Sequence, residues 1–205
     1  MTVLLEDEVD VHYGFIYLKP ADDDPENELI EARGGQANGL VGAQLSGVLA
    51  MITGLHTGKV PLRVELHEAE PVLQENWEEI VEAPLTVTET NYLITTFQDG
   101  YELEDPPPGS YRARWYASGM DAARQLDTRL EEEPALDRYL LQLWPAPVVP
   151  DAVVKQTSEI AAYWHGVAAE TTVVHPVGAA TTVSDPLTST VAPRATAVSR
   201  ASAMR

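Results

Sequence analysis

The chain has 205 residues, 44% hydrophobic and 22% charged, enough apolar material for a packed domain. Its 32 acidic residues against 13 basic ones give a formal net charge of −19, which repels phosphate backbones and anionic lipid, so direct binding of nucleic acid or membrane is not expected. Cysteine is absent, which removes disulfides, thiolate metal sites and thiol catalysis.

The opening run Met1 to Glu8 has no basic stretch before its short apolar segment, and no later stretch approaches the ~20 apolar residues of a membrane span. The expected location is therefore cytoplasmic, or inside a particle if the chain is a structural component. Period-2 alternation then begins. Val9, Val11, Tyr13, Phe15 and Tyr17 share one parity and predict a strand. Asp22, Asp23, Asp24, Glu26 and Glu28 cluster oxygens around Pro25 but lack the EF-hand spacing, so they read as a loop, and no metal is expected. Arg33 to Gly42 is glycine-rich, but no Gly-Lys-Ser/Thr follows and no helix is expected after it. It reads as a glycine loop between strands rather than a phosphate cradle.

Val48 to Ile52 is continuously apolar and suits a strand buried on both faces. From Val60 to His67 the inward row is Val60, Leu62, Val64 and Leu66, with Pro61 suited to the start of an edge strand. Glu75, Glu78, Glu79 and Glu82 form the densest acidic surface. They are candidates for docking Lys or Arg of a partner, the alternative being a solvated face. Glu79 to Val87, Asn91 to Phe97, Tyr111 to Ala117 and Tyr139 to Leu143 read as further strands. Asp121 to Glu132 and Glu159 to Ala169 read as short helices, the second capped by Ser158 with Ile160, Tyr163, Trp164 and Val167 on its apolar face.

These elements define an all-β class: an antiparallel β-sandwich or barrel of seven to ten strands, with one or two short helices and an extended C-terminal tail. Residues 1–170 form the acidic β-sandwich domain, with 31 acidic and 10 basic residues. Residues 171–205 are rich in Ala, Val, Thr and Ser, have too little apolar bulk to build a core, and carry one acid against Arg194, Arg200 and Arg205. Such a tail suits a strap on a neighbouring subunit, its arginines meeting an acidic surface. The five histidines show no ligand spacing, and no Gly-x-Ser-x-Gly elbow occurs. No cofactor is expected, and no motif supports a catalytic assignment.

Between Val9 and Ala117 the chain resembles the bacterial competence protein J family. The features are Tyr13-Gly14-Phe15-Ile16-Tyr17 opening the domain, a glycine-rich segment leading to Val48-Leu49-Ala50-Met51, a charged strand near Trp77, and Pro108-Gly109-Ser110-Tyr111-Arg112 starting a late strand. The resemblance implies a small acidic β-protein that inhibits a DNA-entry nuclease by occupying a basic nucleic-acid cleft. It identifies no site residues. The functional expectation is thus a non-enzymatic protein-binding module, in its sharpest form an acidic inhibitor of a basic partner such as a nuclease. The alternative is a structural component of a virion or other multi-subunit particle, binding copies of itself through the tail.

Overall fold

The computed structural model describes residues 1–22, 29–96, 99–103 and 106–173. Eleven strands occur among them: β1 (Thr2–Val11), β2 (Phe15–Pro20), β3 (Val41–Gly42), β4 (Leu49–Ile52), β5 (Gly58–Leu66), β6 (Glu79–Val87), β7 (Tyr92–Thr95), β8 (Gly100–Glu102), β9 (Gly109–Ser118), β10 (Arg138–Pro145) and β11 (Ala152–Lys155). Two helices follow late strands, α1 (Met120–Leu126) and α2 (Glu159–Glu170). One sheet runs β1-β5-β10-β9-β6-β11, the other β3-β4-β2-β7-β8. All pairings are antiparallel except β5 with β10. The expected sandwich class is borne out, and the count passes ten through strands of two and three residues. The expected tail, with Arg194, Arg200 and Arg205, and most of the Asp22–Glu28 cluster lie outside the described residues.

The core lies between the sheets. The larger sheet contributes Val60, Leu62, Val64, Leu141, Leu143 and Trp115, and the smaller one Ile16, Leu18, Leu49, Met51, Tyr92 and Ile94, all buried. Trp115 stacks on Tyr139 with ring centroids 5.0 Å apart. Strand alternation specified this face correctly, because one parity of each strand meets the opposite sheet.

Four expectations are corrected. The Val9-to-Tyr17 alternation is not one strand. Tyr13 and Gly14 both have positive φ, 62° and 71°, and turn the chain from the edge of one sheet to the middle of the other. Pro61 is not on an edge strand, since β5 sits between β1 and β10. It is tolerated because its ladder partner Glu8 gives its own N–H to the Asp7 carboxylate, not across the ladder. Helix α1 stops at Leu126, where Asp127 takes φ 65° and its N–H closes on the Ala123 carbonyl. Helix α2 buries Ala161 and Ala168, with Ile160 and Trp164 packed partly against the core, whereas Tyr163 is 60% exposed.

The small buried face of α2 explains the glycine-rich segment. Backbone meets backbone there: a Cβ on Gly39 would stand 1.8 Å from the Trp164 carbonyl oxygen, and one on Gly34 2.7 Å from that of Thr172. Gly35 donates its N–H to the Ala168 carbonyl and Gly39 to His165 Nδ1, each at 2.9 Å. Arg33 is wholly buried beneath, donating to the carbonyls of Leu29, Gly39 and Ala50, with its guanidinium over Trp164. Burial pulls its pKa down to about 10, against a weaker opposing pull from Tyr17.

Candidate functional site

The outer face of the larger sheet is built differently from its core face. Its outward parity carries Arg112, Arg114, Glu65 and Gln142, yet all four are buried. Segments 67–78 and 146–151 lie across the two arginines. Arg114 donates to the Pro71 carbonyl and the Glu70 carboxylate, and Arg112 to the carbonyls of Val149 and Pro150. Glu82 bridges both arginines, at 2.9 Å to Arg112 and 2.6 Å to Arg114. Burial works against the Arg114 charge, but hydrogen bonds to Glu82 and Tyr116 hold its pKa above the ordinary guanidinium value. Trp77, Ile80, Tyr116 and Leu140 make a second small core there.

This arrangement absorbs part of the acidic run that the sequence nominated for docking. Glu79 is fully buried, as its shared parity with Val81 requires, and its Oε1 accepts the N–H groups of Thr157 and Ser158. Glu82 is engaged by the two arginines. Glu78 is exposed and accepts the Gly119 N–H at 2.7 Å. Glu75 is exposed, and its carbonyl accepts from Lys155. The four carboxylates therefore do not share one solvent-facing patch. Asp121 adds to the same internal pattern, accepting the N–H groups of Glu159 and Ile160 while Ser158 Oγ accepts that of Ala161. The start of α2 is thus filled with the chain's own acceptors.

An open groove of about 570 Å³ lies on the uncovered part of the same face. One wall is β1, with Glu6, Asp7 and Glu8; the other is Trp77 and Arg138; Pro61, Leu140 and the charged pair Arg63 and Glu65 lie between. Arg63 bonds Glu6 at 2.5 Å and Glu65 at 2.7 Å, and Arg138 lies 4.8 Å over the Trp77 ring. Glu65 also accepts from Gln142 and contacts His67. Burial alone would raise its pKa, but Gln142, Arg63 and His67 together hold it below the ordinary carboxylate range. Sequence reading missed this site because Glu6-Asp7-Glu8 reads as an unremarkable charged start to a strand. The available signal was the run of three acids, Glu6 to Glu8, interrupting a strand that is apolar at both ends, Val3 to Leu5 and Val9 with Val11.

At the end of the sandwich beside α2 lies a smaller pocket of about 220 Å³, bordered by Tyr13, His56, Arg124, Tyr163 and Trp164. His12 and His56 both address the Thr57 hydroxyl, at 3.2 and 2.8 Å. Among the described residues no group of three or more His, Cys, Asp or Glu is placed to hold a metal ion, and no helix is long and apolar enough to cross a membrane.

No family model matches the chain, and no curated protein matches it. Among solved structures it is similar to ComJ, inhibitor of the DNA degrading activity of NucA, from Bacillus subtilis, at 18% identity and a TM-score of 0.49, covering 71% of this chain and 98% of that one. It is also similar to the crocagin biosynthetic gene J structure, at 12% identity and a TM-score of 0.47, with the same coverage. The likeness to the first of these agrees with the partial resemblance read from Val9 to Ala117.

Proposed function

We propose that this chain is a protein-binding module that docks a basic partner on the groove beside β1. One observation carries the reading: the groove is lined by four carboxylates against two guanidinium groups, and both guanidiniums already have internal partners. Glu6, 66% exposed and paired with Arg63, and Glu8, 45% exposed and paired with Arg129 from outside the groove, still present carboxylate surface to solvent, and Asp7 makes no ion pair among the described residues. A wall of that sign beside an apolar floor of Trp77 and Leu140 steers cations and gives their alkyl stems something to cover. The sharper form, inhibition of a nuclease by filling its basic cleft, follows from the sequence resemblance.

The test is binding of the purified chain to a basic DNA-degrading nuclease, followed by the nuclease's activity at increasing salt. The expected result is binding that weakens as ionic strength rises and that falls with the triple neutralisation Glu6→Gln, Asp7→Asn, Glu8→Gln. Equal binding by parent and triple variant would reject the groove as the docking face.

A further inference from the structure

We infer, resting on that reading, that the partner element is an extended basic segment that adds to the free edge of β1 as a further strand. β1 already has one strand partner, β5. On the outer face of the sheet, Glu6, Glu8 and Asp10 stand opposite Arg63, Pro61 and Lys59 of β5. Arg63 closes an ion pair with Glu6 across that ladder. The chain thus contains an example of what pairs with this row of acids: a strand with cations at alternate, outward positions.

Among the described residues the other side of β1 carries no strand, for β1 pairs with β5 alone there. Its backbone donors there are held only by side chains. The Glu8 N–H goes to the carboxylate of the adjoining Asp7 at 2.8 Å, and the Asp10 N–H to the Tyr101 hydroxyl at a long 3.4 Å. An incoming carbonyl at Glu8 would take the place of Asp7, releasing that carboxylate to meet a partner cation. Asp7 makes no ion pair among the described residues. With the seven residues Leu5 to Val11 in unbroken register with β5, the template is long enough to select an extended segment. A second copy of the chain is disfavoured as the occupant, because it would set acid against acid.

The probe is a synthetic peptide alternating Lys or Arg with Val over seven residues, titrated into the full chain and followed by amide hydrogen exchange and nuclear magnetic resonance. The expected result is exchange slowed about tenfold or more at Glu8 and its β1 neighbours, and no binding by the same peptide N-methylated at alternate amides, since methylation removes the ladder donors. Equal binding by both peptides would overturn strand addition and leave the acidic groove standing. The same holds if protection appears only at segment 72–78. Failure of the unmethylated peptide to bind, where the basic nuclease does bind, also overturns strand addition. Failure of peptide and nuclease alike would overturn the docking reading itself.

Discussion

The two faces of the larger sheet are both buried, but by different chemistry. The inner face is Val, Leu, Ala and aromatic residues against the second sheet. The outer face, over β9 and β6, is arginine and glutamate beneath two irregular segments, and over β1 and β5 it is left open as the groove. Apolar burial is non-directional and tolerates any well-packed neighbour. Ionic burial needs every partner in place, because a lone charge left behind costs far more than the pair contributes. The sheet therefore combines a face that sets the fold with one that fixes two loops and leaves a charged opening beside them.

Substitutions grade this difference. The largest effect is expected for Val64→Asp, which puts a charge at 0% exposure in the apolar face. Denaturant unfolding should show a loss of about 4 kcal/mol or no folded protein. Arg114→Ala comes next, at roughly 3 kcal/mol, because it strips one of the two cations from Glu82 and removes the donor to segment 67–78. A loss below ~0.5 kcal/mol would mean that the outer network is decorative. A pH effect should follow at the α2 seat. Burial lowers the His165 pKa from the ordinary 6.5, against a weaker opposing pull from Asp151, and its Nδ1 must stay unprotonated to accept the Gly39 N–H. The folded state thus binds fewer protons than the unfolded one, so stability falls as pH drops from 6.5 through the lower folded value. Unfolding midpoints between about pH 7 and 5 should show this slope, and His165→Gln should flatten it. The smallest effect is the triple neutralisation of Glu6, Asp7 and Glu8, expected at about 1–2 kcal/mol, most of it from Glu8, whose carboxylate pairs with the nearly buried Arg129. A large destabilisation there would make the groove part of the scaffold rather than a docking face.

The inner face was legible because a period of two has only one buried parity, and Val60, Leu62 and Val64 kept to it. Glu79 was misplaced on the surface by its charge, although its parity with Val81 already signalled burial. The outer face was not legible. Arg112, Arg114 and Glu82 have the composition of a solvated surface, and what buries them comes from segments some 35 to 45 residues away along the chain. The break at Tyr13 was hidden by alternation that continues across it. The pair Tyr-Gly was its only mark, standing where Asn-Gly is the usual choice for two positive φ angles. The groove needed both pieces of missing knowledge: that β1 is an edge, and that the cover on its face stops short of it.

The start of α2 bears on selectivity. A helix N-terminus ordinarily offers its amides to any passing anion. Here Glu79, Asp121 and Ser158 have taken those amides, in a molecule whose exterior is already strongly negative. The one conventional foothold for a phosphate at this end of the fold is closed from within. Under the docking proposed for the β1 groove, such a surface would discriminate twice in a mixture of polynucleotide and the basic proteins that bind it, by attracting the protein and by giving the polynucleotide nothing to hold at this helix start.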